Sequence, residues 1–403
     1  MRTKYFCRNR LVYSNENGFT LTELVVVMAI FIILIMISAF AFQNITAISS
    51  REIKSADSNI QGIIGLEMMR SDLESAGYGL PYSLNFVGNF EETGEPADHY
   101  SNGIDSTIFN GKSIDTAIDA NKVPRAVQSA TATSGADYEL GRDYLVIKST
   151  SIGMNDTAKK WSFIEGVNST SNIKIWGDAA EDFVEGDEVV VLDARTRTLV
   201  GSDLTHFSFS MPAKVDDKFT PPAAYQPPEL LNNYIVYGIK KSSTALTYPY
   251  SRADFYVKRP TDNSKISSRC ATNTGLLYKA IFTGDKDSVS ENPLLDCVAD
   301  MQVVYSMDSN EDGVIDNHGN EDELASLSAE QIRKRLKEIR IYVLTHDGQK
   351  DRGFTYSTNS VIHVGDELGN GHDYDLANLT ATEWMNYRWK IYSLVVIPKN
   401  VIQ

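Results

Sequence analysis

NGFTLTELVVVMAIFIILIMISAF, residues 17–40, is an apolar run with one carboxylate, Glu23, at its mouth. The next charged residue along the chain is Arg51, and no Lys, Arg or His occurs between Gly18 and Ser50. From Leu24 to Phe42 the run would span about 28 Å as a helix, close to the hydrocarbon thickness of a bilayer. A carboxylate at that depth costs roughly 2.5–3.5 kcal/mol even on a lenient insertion scale. A residue held at such a cost is a functional candidate, and its cationic partner has to come from outside this segment.

Charge is unevenly spread around the run. Arg2, Lys4, Arg8 and Arg10 stand against Glu16 in the first eighteen residues, a net of +3, which leaves −18 for the remainder of a chain whose formal charge is −15. A basic N-terminus ahead of an apolar helix stays cytoplasmic by the positive-inside rule, sending the rest outward. The acidic remainder argues against binding nucleic acid, whose phosphates it would repel. Ala39-Phe40-Ala41 offers an A-x-A ending for an ordinary secretory signal. That reading needs a long leader containing both Glu16 and Glu23. Of three cysteines, Cys7 lies in the leader. Cys270 and Cys297 remain as an exported pair, which in an oxidising compartment reads as a disulfide.

Gly18-Phe19-Thr20-Leu21-Thr22-Glu23 resembles the processing motif of type IV prepilins. The resemblance implies that a prepilin peptidase cuts between Gly18 and Phe19 and methylates the new amino group of Phe19. It also implies that Glu23 serves assembly by pairing with the N-terminal amine of a neighbouring subunit. Arg70-Ser71-Asp72-Leu73-Glu74-Ser75-Ala76-Gly77-Tyr78 looks like the helix end of PilW-type minor pilins. Val298-Ala299-Asp300-Met301-Gln302 and the ending Trp389–Val396 are similar as well. The function so implied is that of a minor pilin in the initiation or tip complex of a type IV pilus, with no catalytic role. Its partners would be the prepilin peptidase, other minor pilins, the major pilin and the inner-membrane assembly platform. It would cross the inner membrane once before assembly and then enter the pilus. A type II secretion pseudopilin shares the same stem. A pilus-mounted adhesin or uptake receptor is a third reading, with its binding work in residues 80–297.

The fold expected is α+β, a long N-terminal membrane-spanning helix packed on a large antiparallel β-rich head. Residues 1–18 form the leader, 19–76 the helix and 77–403 the head. Within the helix, 24–42 crosses the membrane and 51–76 is amphipathic. In that second part Ile53, Ala56, Ile60, Ile63, Ile64, Met68, Leu73 and Ala76 recur at three- and four-residue steps between charges. Gly77, Gly79 and Pro81 end it. β-branched and aromatic runs predict strands at 144–148, 188–192, 234–238, 254–257, 277–281, 301–305, 340–344 and 391–396. Turns too short for helical crossovers make them antiparallel. Ser328 and Gln331 form a capping box for a helix to Leu336. Met211–Pro228 holds five of the twelve prolines and reads as a loop, with a sub-lobe boundary near 211–228.

One stretch has the spacing of a cation loop. Asp308, Asn310 and Asp312 offer oxygens at alternate positions, Gly313 a sharp turn, Val314 a carbonyl and Asp316 a further carboxylate. This matches the first part of an EF-hand-type calcium loop, although the twelfth position is Gly319 where a bidentate Glu belongs. Calcium is the cofactor considered and is not required. An acidic hairpin turn without an ion is the alternative. His363, His372, Asp373 and Asp375 fall in or beside the Gly-rich stretch 365–375, read as a mobile polar loop. No G-x-S-x-G, H-E-x-x-H or phosphate-cradling glycine loop is present.

Overall fold

The computed structural model describes residues 18, 20–86, 123–131, 141–241, 246–260, 262–284, 289–379 and 382–401. Leader residues 1–17 with Cys7, Phe19 and most of the loop region between 87 and 140 lie outside them. The chain divides into two compact units, residues 1–54 and 55–403.

The first unit is helical. A single helix, α1, runs from Leu21 to Glu74. Its segment Leu21–Ala56 is long and apolar enough to cross a membrane. Side chains from Leu21 to Phe42 are exposed, as a segment awaiting lipid or neighbouring helices would be.

The second unit holds the end of α1 and two large sheets. A seven-stranded sheet contains β1 (Ser83–Leu84), β4 (Trp161–Glu165), β5 (Asn172–Ile173), β6 (Asp187–Asp193), β7 (Thr198–Leu199), β8 (Ser208–Ser210) and β9 (Tyr234–Lys241). Its order is β1-β7-β6-β9-β4-β5, with β8 against β6. An eight-stranded sheet contains β2 (Val127–Thr131), β3 (Asp143–Ser149), β10 (Ser251–Lys258), β11 (Gly275–Thr283), β12 (Val289–Met307), β13 (Asn317–Gly319), β14 (Leu336–Asp347) and β17 (Arg388–Val396). It runs β17-β14-β12-β11-β10-β3-β2, with β13 against β12. Every pair is antiparallel except β1 with β7, so the α+β class with an antiparallel head is what the chain forms.

All eight predicted strands lie inside observed ones. The capping box is also present, with Ser328 accepting from the Gln331 N–H at the start of α3 (Ala329–Arg335). The short α2 (Glu321–Ala325) precedes it. Residues 361–375 correct the loop expectation. They form a hairpin of β15 (Val361–Gly365) and β16 (Gly371–Asp375), with Gly371 at a φ of 119° beside the turn. The proline-rich stretch connects β8 to β9, both strands of the seven-stranded sheet. It packs Met211, Phe219 and Tyr225 against Val189, Val191 and Val236 on one face of that sheet.

The other core joins the two large sheets to the end of α1. There the buried positions are Gly62, Gly65, Leu66, Met69, Leu73 and Ala76, while Ile60, Ile63, Ile64 and Met68 are exposed. The apolar stripe read from the sequence is therefore split, and its isoleucines point away from the head. Close approach explains the choice of face. A Cβ on Gly65 would lie 2.1 Å from the Leu294 carbonyl oxygen, so only glycine lets the helix rest on β12. Polar clamps flank this contact. Lys279 Nζ lies 2.6 Å from Asp72, and Arg70 donates to the Val395 carbonyl at 3.2 Å. Tyr392 donates to Asn59 at 3.2 Å, and Lys399 Nζ reaches Glu74 at 2.5 Å.

Candidate assembly and processing site

Thr20 precedes α1, where four backbone N–H groups lack helical partners. Its N–H and its hydroxyl each donate to Glu23 Oε2 at 2.9 Å, and the Glu23 N–H returns to Thr20 Oγ1 at 3.3 Å. This is a reciprocal capping box, with a carboxylate at the positive end of the helix dipole. The sequence offers Glu23 no local cation. Thr20 as its local hydrogen-bond partner went unread there, although T-x-x-E is itself the signature. Gly18 is exposed, with open space around its Cα. Phe19 lies outside the described residues.

Cys270 and Cys297 form the expected disulfide, their Cα atoms 4.8 Å apart. Cys297 occupies a left-handed conformation, φ 59°, where the register of β12 shifts. Bulges place residues in such conformations. Next to the bridge, the Ala271 N–H donates to His346 Nε2 at 2.9 Å. His346 packs against Tyr387 and Trp389, and burial pulls its pKa down to about 3. It is a neutral, structural histidine.

Asp308, Asn310, Asp312, Val314 and Asp316 lie together in the turn between β12 and β13. Several of their oxygens are engaged within the turn. Asp308 accepts from the N–H groups of Asp312 and Gly313, Asn310 and Asp312 cap their own turns, and Asp316 accepts from Ser309. Lys337 Nζ lies 3.4 Å from Asp308 Oδ2. Burial alone would raise the Asp308 carboxyl. The Gly313 and Asp312 bonds and Lys337 outweigh it, and the pKa falls below its ordinary value. The first three residues fit the opening of a calcium loop. The closing ligand does not fit, since Gly319 sits in β13, and Glu321 instead accepts from Thr131. No group of three or more His, Cys, Asp or Glu converges as a metal cage among the described residues.

A carboxylate cluster went unread in the sequence because its members are 157 positions apart. Asp143 on β3 accepts from the Thr131 hydroxyl and the Val303 N–H, both at 2.7 Å. Burial pushes it up to about 8, with Glu321 and Asp300 adding repulsion. Asp300 is fully buried and holds His372 of β16 at 3.4 Å. That hydrogen bond raises the His372 pKa.

Both ends of the chain match known families. Residues 13–39 match the prokaryotic N-terminal methylation motif, and residues 254–400 match type IV pilus-assembly protein W. Together they match a PilW-type type IV pilin. The PilW match takes in β11–β17 and most of β10, the larger share of the eight-stranded sheet. The seven-stranded sheet falls outside both matched regions. No curated protein and no solved structure matched the chain. PilW-type pilins are structural rather than catalytic, and the apolar N-terminal helix fits membrane anchoring and incorporation into a pilus.

Proposed function

We propose that this minor pilin joins the initiation or tip complex of a type IV pilus. In this reading residues 1–18 are removed by prepilin peptidase, Phe19 is N-methylated and 77–403 forms the extracytoplasmic head. Glu23 pairs with the N-terminal amine of an adjacent subunit, either another minor pilin or the major pilin, as the assembly platform draws the chain from the inner membrane. The observation that carries this is the stem. A carboxylate stands at the mouth of an exposed apolar helix, and in the second unit Ile60, Ile63, Ile64 and Met68 are exposed as well. Such a surface is stable only when covered by other helices. The PilW match favours the pilus over a type II secretion system.

The test is a deletion strain complemented with the wild-type gene or Glu23→Ala. Sheared surface pili and secreted proteins are measured side by side. Lost pili with intact secretion, restored only by the wild type, supports the proposal. Intact pili with failed secretion would make the protein a pseudopilin.

For the turn at Asp308 we propose that Lys337 supplies the positive charge and that calcium binds weakly, in competition with it. The short distance from Lys337 to Asp308 supports this reading.

A further inference from the structure

We propose that the seven-stranded sheet carries a binding site for a neutral oligosaccharide. The inference does not depend on the pilin reading, because this sheet lies outside both family matches.

The site begins with strand alternation. Ser162 and Ile164 of β4 are buried, whereas Trp161, Phe163 and Glu165 point the other way. Just past β5, Lys174 donates its N–H to the Phe163 carbonyl, which continues the β4–β5 pairing outward. Three rings meet there. Trp161 lies 5.2 Å from Phe163 and 5.3 Å from Trp176, and Trp176 lies 6.3 Å from Phe163. Trp161 is 39% exposed even so. The platform is fixed rather than loose. Trp176 Nε1 donates to the Trp161 carbonyl at 2.9 Å, and Asp182 receives the N–H groups of Trp176 and Gly177.

Phe163 also forms a wall of a 490 Å³ pocket at the strand ends, shared with Glu165, Ala194, Asn232, Asn233 and Tyr234. That volume suits a small-molecule group. Its lining is mixed, with Phe163, Ile164 and Leu230 beside Glu165, Asn232, Asn233 and Tyr234. Aromatic faces attract the polarised C–H groups on one side of a sugar ring. Amides and carboxylates provide the paired donors and acceptors that hydroxyl groups need.

Charge selects among hydroxyl-rich ligands. Lys174 Nζ sits 5.0 Å from the centre of the Trp176 ring and 3.7 Å from Glu165, so the cation at the platform is already matched. Asp178, Glu181, Asp182 and Glu185 follow within a few residues. Phosphorylated or carboxylated ligands would be repelled there. A neutral glycan is the class that fits.

The test uses the full chain in a zwitterionic detergent without a sugar headgroup. Maltoheptaose, cellohexaose and chitohexaose are titrated separately, followed by tryptophan fluorescence and calorimetry. The expected result is saturable binding of at least one of them with a fluorescence shift. Trp161→Ala and Asn233→Ala should each weaken it about tenfold, the loss of one good contact. Trp161→Phe, which keeps a ring, should retain most of the affinity and controls for folding. No binding of any of the three up to about 10 mM overturns the proposal. So does binding unchanged in both Trp161→Ala and Asn233→Ala. Capture of another pilin's head by this face, blocked by Trp161→Ala while the sugars fail to bind, would make it a protein interface instead.

Discussion

Gly65 sets the seat of α1 on the head, and replacing it with alanine tests that geometry directly. The new Cβ would fall 2.1 Å from the Leu294 carbonyl oxygen and 2.8 Å from its carbon, where ordinary contact begins at 3.4 Å. Leu294 lies in β12 at a register shift, and its neighbours Pro293 and Leu295 pair with Tyr278 and Leu277 of β11, which hold its backbone in place from both sides. The helix must lift by more than about 1 Å, an overpacking that costs roughly 1–3 kcal/mol. Alanine returns up to about 1 kcal/mol in helix propensity. A net loss of about 1–2 kcal/mol is expected, more if lifting breaks the buried Asp72–Lys279 pair. Gly62 is the internal control. Its Cβ would meet the Tyr392 hydroxyl at 2.7 Å, the far end of a side chain that can turn. There the propensity gain of about 1 kcal/mol roughly offsets a weakened bond to Asn59. Denaturant unfolding of the full chain in micelles, followed by near-UV circular dichroism, would rank the two. Gly65→Ala equal to or more stable than Gly62→Ala would refute the argument.

Other outcomes follow from buried charge and crosslinking. Asp143 keeps its proton in the folded state up to about pH 8 but releases it near 3.8 when unfolded, so its contribution declines as pH rises between those values, at up to about 1.4 kcal/mol per unit. Asp143→Asn should flatten the denaturation midpoint between pH 5 and 8. His346 acts in the opposite direction: its pKa falls from 6.5 to about 3 on folding, so stability is lost as pH drops through that window. Ring NMR shifts should show it neutral at pH 5. Reducing Cys270–Cys297, which closes a 27-residue separation, should cost about 3–4 kcal/mol on the chain-entropy view, read as a lower denaturant midpoint. Calcium should raise the midpoint of Lys337→Met more than that of the wild type, and equal shifts would remove Lys337 as its competitor.

What the sequence disclosed was what is local. The eight strands with β-branched or aromatic runs, the Ser328–Gln331 box and the helix-ending glycines all depend on neighbours within a few positions. The misses in the head have a common cause. β15 and β16 contain His363, Asp373 and Gly371, poor strand formers that pair because tertiary contacts place Val364 and Tyr374 in a core with Leu344 and Trp384. Ile60, Ile63 and Ile64 have the periodicity of a buried face. Which face of an amphipathic helix meets the head depends on how closely a backbone 229 positions away can approach, and the two glycines decided it. The Asp143 cluster joins β3, β12 and β16, and no spacing along the chain announces such a meeting.

Glu23 has two roles to separate, and one substitution does so. In the isolated chain its carboxylate is satisfied by Thr20, a bond pattern that glutamine can also make, since a capping box accepts either residue. Glu23→Gln should therefore keep the start of α1 and its insertion while removing the charge. If a neighbour's amine is the proposed partner, the attraction between unit charges in a low-dielectric surrounding has no equivalent in a neutral amide. Pili should then be lost in Glu23→Gln as fully as in Glu23→Ala, with the protein still in the membrane at wild-type abundance. Wild-type piliation by Glu23→Gln would leave the carboxylate as a helix cap alone. The cap also bears on timing. Thr20 keeps the carboxylate hydrogen-bonded before any partner arrives, so an unassembled subunit does not carry a bare anion at the membrane surface. Assembly on this reading exchanges two neutral donors for one cation, an exchange that favours the filament only where water is excluded.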